Sequence, residues 1–222
     1  MRRISVFATA AVAALAITAA VGVASSSATT TVLCKSVPSS KTCPSGEVLP
    51  AGSWASYELY PVYPDEESAF TLKISGGLNF ACRQGGMGGE SKAVSAEKLP
   101  VSGGMVLYSC SLNKGPECTR AIVGGVAGNV QSFGLNAVWW IGNSSEPFTI
   151  DFQCKIFGAT VECKFADQTT LVLLSSYSTE THLETIGVWA GKQMVRTSGG
   201  CGETAEVDLH GANVTGNYPH LG

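Results

Sequence analysis

An all-β fold, an antiparallel sandwich or jelly-roll stapled by disulfides, is the class that this sequence predicts, and three observations predict it. Short β-rich runs recur at intervals of roughly ten residues, with Gly, Pro, Asn or Ser between them, the spacing of antiparallel all-β folds rather than of α/β folds. Eight cysteines occur in 222 residues. Charged residues make up 14% against 45% apolar, with 26 glycines, which describes a turn-rich globular chain rather than a disordered one.

The N-terminus carries Met1-Arg2-Arg3, an Ala/Val-rich apolar run over residues 4–23, and the small residues Ala24-Ser25-Ser26-Ser27-Ala28. That is the layout of a secretory signal, with cleavage expected after Ala24 or Ala28. Residues 1–28 are therefore read as a signal peptide and residues 29–222 as one secreted β-rich domain, placed outside the cell. The alternative is a retained anchor, since an apolar run of about twenty residues spans a bilayer. No second run of spanning length follows, so no membrane contact is expected after cleavage. Loss of Arg2 and Arg3 leaves 12 basic residues against 17 acidic, a net charge of −5. Without a Lys/Arg cluster to displace phosphate counterions, nucleic acid is excluded as a partner.

Taken in order, strands are predicted over residues 56–59, 69–74, 78–82, 105–108, 119–123, 136–141, 170–174, 185–189 and 205–209, with a hairpin over 148–166. Residues 91–99 have a helical look through Ala93, Ala96, Glu97 and Lys98. Gly85-Gly86-Met87-Gly88-Gly89 reads as a flexible loop with an exposed thioether. In the hairpin, Cys154 opposite Cys163 centres a type II′ turn on Gly158-Ala159, with the glycine at positive φ. Phe148, Ile150, Phe152, Cys154, Ile156, Val161, Cys163 and Phe165 then share the core face.

Proximity in sequence pairs Cys34–Cys43, Cys110–Cys118 and Cys154–Cys163, and leaves Cys82–Cys201 as a long-range bridge worth up to about 4 to 5 kcal/mol by loop closure. Spacing does not prove a pairing, because eight cysteines allow about a hundred of them. With no C-x2-C spacing and three histidines in the chain, neither zinc nor any other cofactor is expected.

Constellations that carry chemistry are thin. Thr197-Ser198-Gly199-Gly200-Cys201 lacks the base and acid of a serine-protease triad, and no G-x-S-x-G elbow occurs. His182, His210 and His220 with Glu184 or Asp208 are too scattered for a metal site. Alternation puts Glu206, Asp208 and His210 on the solvent side of one strand. Asp65-Glu66-Glu67, with Asp151, offers carboxylates for a glycosidase pair, if they converge. Trp54, Tyr57, Tyr60 and Tyr63 recur at threes, and Trp139-Trp140 puts one indole on each face of a strand. An exposed row of such rings stacks on sugars or on a partner's apolar surface.

The opening Thr31-Val32-Leu33-Cys34-Lys35, Cys43-Pro44, the Cys110 and Cys154 loops and the late Cys201 preceded by glycines resemble a group of small secreted cysteine-rich proteins from soil actinobacteria. The resemblance implies export and an all-β disulfide scaffold; it implies no activity and no functional residue.

The leading expectation is a secreted, monomeric, non-enzymatic binding or structural protein, with Trp54, Tyr57, Tyr60 and Trp139 or Trp140 touching an extracellular glycan or protein. A carboxylate hydrolase is the first alternative. The second is an enzyme inhibitor presenting Lys114 from the loop at 111–117.

Overall fold

The computed structural model describes residues 30–36, 42–61, 67–167, 171–178, 180, 183–188 and 192–221. The expected signal segment at residues 1–28, Asp65, Glu66, Tyr63 and His182 lie outside the described residues. In chain order the strands are β1 (Thr31–Cys34), β2 (Trp54–Leu59), β3 (Phe70–Ile74), β4 (Leu78–Ser91), β5 (Ser95–Ala96), β6 (Leu99–Leu112), β7 (Arg120–Gly124), β8 (Gly128–Phe133), β9 (Asn136–Ile141), β10 (Thr149–Ile156), β11 (Ala159–Ala166), β12 (Leu171–Ser178), β13 (Leu183–Val188), β14 (Lys192–Gly199), β15 (Thr204–Asn213) and β16 (Tyr218–Leu221).

The chain is all-β, but the main sheet is not laid out as two separate sandwiched sheets. Its order runs β13-β12-β9-β8-β6-β4-β2-β15, and β15 pairs back onto β13, closing an eight-stranded barrel. Closure removes free edges, which an open sheet must otherwise protect. From β15 the sheet continues outward through β14, β11, β10 and β7. A small sheet, β16-β1-β5, is anchored by Thr31, whose Oγ1 takes the Ser132 amide at 2.9 Å.

Two long strands tie barrel and outer layer together. In β4, residues 85–90 pair with β2 while residues 78–82 pair with β3; in β15, residues 211–213 pair with β2 while residues 205–209 pair with β3. The inward parity of the β4–β6 ribbon changes along its length. Phe80, Cys82, Cys110 and Leu112 are buried in one half, and Met87, Val101, Met105 and Leu107 in the other. The pairing lapses at Arg83 and Ser109, where Ser109 takes φ 51°, and resumes in the same register, so the two halves bury opposite faces of the ribbon. Under the outer layer Phe80 stacks on Phe152 with ring centroids 4.3 Å apart, and Phe70 and Phe165 extend the row.

The glycine run expected as a loop lies inside β4, and Met87 is buried. Packing requires glycine at two positions of this ribbon: a β-carbon on Gly85 would lie 2.6 Å from the Val106 carbonyl oxygen, and one on Gly103, across on β6, would lie 2.6 Å from that of Gly88. Residues 91–99 hold no helix; the short strand β5 and the start of β6 fall there.

The hairpin of β10 and β11 keeps its expected core face with a different register. Cys154 opposes Val161 and Phe152 opposes Cys163, around Phe157 and Gly158 at φ 49° and 84°. Positive φ at both turn residues is the type I′ arrangement, not type II′. The pairing slides by two positions, an even step, so every side chain keeps its face.

The disulfides follow from that register. Cys34–Cys43 forms as expected, whereas Cys82 bonds Cys110, Cys118 bonds Cys154 and Cys163 bonds Cys201. The expected Cys82–Cys201, Cys110–Cys118 and Cys154–Cys163 bridges are thereby corrected. Cys82 and Cys110 face each other directly across β4 and β6, with Cα atoms 3.9 Å apart. The other two bridges fasten β10 and β11 to the chain beside them.

Candidate functional site

The outer face of β15-β3-β4-β6 forms a groove of about 660 Å³. Strand register builds it row by row. In the central row Asp208 pairs with Thr71, Thr71 with Ala81, and Ala81 with Ser111. Beside it the His210 amide donates to the Ala69 carbonyl at 2.9 Å, and Arg83 follows Cys82 on β4. On the other flank Lys73 pairs with Asn79. Short side chains at Ala69, Thr71, Ala81 and Ser111 make the floor; longer charged ones make the walls. Alternation puts these residues outward because Phe70, Leu72, Phe80 and Leu209 occupy the inward positions.

The walls carry both signs of charge. On the β15 side, His210 Nε2 lies 3.2 Å from Asp208 Oδ1. On the far side Arg83 stands on β4, and Lys114 Nζ reaches Glu67 Oε2 at 2.6 Å from the turn after β6. The hydrogen bond from Lys114, then its charge, then that of Arg83 hold the Glu67 carboxyl below the usual carboxylate range. An exposed pair of this kind adds little stability, so its consequence is to position charge at the groove rim. At the floor, the Thr71 hydroxyl is buried and has no hydrogen-bond partner among the described residues. A buried hydroxyl without a partner costs free energy that a bound polar group would recover.

A second polar cluster lies inside the barrel. The Glu184 carboxyl on β13, 4% exposed, takes hydrogen bonds from the Ser175 hydroxyl on β12 and from Asn213 Nδ2 on β15, the latter at 2.7 Å. Tyr57 on β2 approaches Ser175 Oγ at 3.4 Å and meets Trp139 edge to face at 5.6 Å. Burial pushes the Glu184 carboxyl up to about 7, against the opposing effect of its hydrogen bonds. Tyr57 is raised by burial first and by Glu184 second, and Tyr218 in the same order.

The aromatic residues expected at a contact surface do not come together. Tyr57 and Trp139 are core residues at 1% and 3% exposure, whereas Trp54 is 48% exposed. Trp140 is half-buried beneath Lys98, whose Nζ lies 4.9 Å from the ring centre. Four strand spacings, about 19 Å along the barrel wall, separate β2 from β9, so Trp54 and Trp140 make no common platform. Tyr60 is half-buried just past the end of β2.

The carboxylates are also dispersed. Asp151 on β10 pairs with Arg120 at 2.8 Å, away from Glu67 in the groove. Glu206, Asp208 and His210 do lie on the outer side of β15, as alternation requires, while His220 is buried in the small sheet. Among the described residues no cluster of His, Cys, Asp and Glu suits a metal ion.

Sequence reasoning missed the groove because its rows join residues from four strands far apart in the chain. The signal available was the run of short outward residues at Ala69, Thr71 and Ala81. No protein-family model, curated protein or solved structure that was compared with the chain matches it.

Proposed function

We propose that this chain is a secreted, non-catalytic binding protein whose groove over β3, β4, β6 and β15 takes an extended peptide segment of an extracellular protein. The observation that carries the reading is the groove itself: a short-side-chain floor with an unpartnered Thr71 hydroxyl, between an Asp208/His210 wall and an Arg83/Lys114 wall. Four disulfides favour an oxidising compartment. Among the described residues no helix is long and apolar enough to cross a membrane.

The chemistry of the lining narrows the ligand. Sugar rings are held by stacking on flat aromatic side chains, and among the described residues no Trp, Tyr or Phe lines the groove. A general acid needs a raised pKa within reach of substrate, whereas the Glu67 carboxyl is lowered and that of Glu184 is buried in the barrel. Lys114 is clasped by Glu67, which ties down the side chain that an inhibitor loop would present.

Asp208 and Arg83 stand two strands and one row apart, about 12 Å, which an extended ligand spans in about three to four residues. Selection from a displayed peptide library is expected to enrich segments with a basic and an acidic residue at that spacing. Arg83→Glu or Asp208→Lys is expected to weaken the selected peptide by about tenfold each, the loss of one charge-assisted contact. Undiminished binding by both variants, neutral oligosaccharide binding through Trp54 or Trp140, or turnover of any substrate would overturn the proposal.

A further inference from the structure

We infer that this chain associates head to tail with further copies of itself, the ring of Phe157 at the tip of the β10–β11 hairpin seating in a glycine-walled cleft between β6 and β7 of the next copy. The association goes beyond the peptide-binding reading and does not depend on the groove.

The cleft arises where two strands run side by side without pairing. β7 is paired with β10, and β6 is paired with β8 through residues 99–101, but no ladder joins residues 102–106 to residues 123–127. A cavity of about 370 Å³ opens there, larger than the roughly 150 Å³ that encloses a benzene ring. Its walls are apolar side chains and bare backbone, with Val106, Val123 and Ala127 beside Gly104, Gly124 and Gly125. A β-carbon added to Gly104 would meet nothing within 4 Å, so the space in front of that backbone is open. Among the described residues Glu146 is the one charged group of the lining, and it takes part in no ion pair.

The hairpin tip supplies a matching shape and charge. Phe157 is fully exposed and sits at φ 49°, a conformation that a bulky residue holds only at a cost. Neither the turn nor the core uses the ring, which leaves contact with another molecule as its use. Two residues before it Lys155 is exposed and, among the described residues, in no ion pair. With the ring in the apolar cleft, the Lys155 ammonium is the charge that complements the Glu146 carboxylate at the rim.

The two features lie at opposite ends of one strand. Thr149 at the start of β10 pairs with Gly124 of the cleft, whereas Phe157 follows Ile156 at the far end. Eight residues of extended chain, about 27 Å, separate them, so Phe157 does not enter its own cleft. Contact between copies is therefore heterologous, the tip of one molecule meeting the cleft of the next. One ring brings about 150 to 250 Å² of surface, well under the roughly 1,200 Å² of a standing interface, so the association is weak and transient.

Sedimentation velocity of the intact protein, from about 10 μM to about 1 mM to cover weak contacts, tests the assembly. The native protein is expected to sediment faster as its concentration rises. Phe157→Asn removes the ring while easing the turn, and Gly104→Leu fills the cleft where a side chain has room; each is expected to weaken association at least about tenfold, the loss of one anchoring contact. A mixture of these two variants is expected to form dimers and nothing larger, because one keeps the cleft and the other keeps the tip. Glu146→Lys is expected to weaken association, and Lys155→Glu in the same chain to restore it. A monomer at every concentration, as the sequence predicts, native-like association of Phe157→Asn or of Gly104→Leu, or a mixture that stays monomeric would overturn the inference. Sedimentation is read without a peptide, so its failure leaves the groove reading standing, and failure of peptide selection leaves the assembly standing.

Discussion

Glu184 shows how one side chain ties the stability of the whole barrel to pH. Below pH 4.5 the carboxyl is protonated in both the folded and the unfolded chain, so its contribution is at its most favourable. Between 4.5 and about 7 the unfolded chain releases its proton while the folded chain retains it, and stability falls as pH rises. Above that window the loss levels off at about 3 kcal/mol, the free energy of a shift of this size for a carboxyl that is almost wholly buried. Urea denaturation of the native protein is expected to show this decline, and Glu184→Gln is expected to flatten it. The residue was legible only in part. Glu184 stands next to a predicted strand, but alternation cannot show that three phenols and an amide from four other strands will surround it. Parity, being local, is enough to put Asp208 and His210 on the solvent side; that they face Arg83 across a groove is not legible in the sequence, since β4 lies more than a hundred residues earlier in the chain.

Among the elements, the hairpin of β10 and β11 separates what periodicity determines from what a turn determines. Its apolar face follows from alternation alone and is the face observed. Its register depends on the turn, where the chemistry misled: glycine favours the first position of a type II′ turn, and Phe157 is a poor occupant of the positive φ that a type I′ turn demands there. The hairpin nevertheless adopts type I′ because the slid register sends Cys154 to Cys118 and Cys163 to Cys201, and keeps the Phe80–Phe152 stack. Phe157 is fully exposed and contributes nothing to the core in exchange. Phe157→Asn is therefore expected to stabilise the protein by about 1 kcal/mol, measured by thermal denaturation, because asparagine tolerates the left-handed region. The β4 glycines teach the complementary lesson. A run such as Gly85–Gly89 looks like a loop until a second strand is known to pass within contact of its backbone.

For the molecule as a whole, three of the four disulfides join β4 to β6 and tie β10 and β11 to the segments beside them, contacts between residues distant in the chain. Cys82–Cys110, Cys118–Cys154 and Cys163–Cys201 close loops of 28, 36 and 38 residues, while Cys34–Cys43 closes one of 9. Loop-closure entropy makes Cys118→Ala/Cys154→Ala cost about 4 kcal/mol and Cys34→Ala/Cys43→Ala about 2.5 kcal/mol. Denaturant midpoints of the two double variants are expected to fall in that order, and the reverse order would show that something other than chain entropy governs the bridges.

From the primary structure follow the all-β class, the inward face of most strands, and a framework of paired cysteines, because strand period and composition are properties of neighbours along the chain. Barrel closure, three of the four cysteine partners, the groove and the buried Glu184 cluster belong to the tertiary structure. Each depends on which strand edges meet, and that is settled by the packing of residues from distant parts of the chain around a shared core, where a shift of two positions keeps every face and changes every partner.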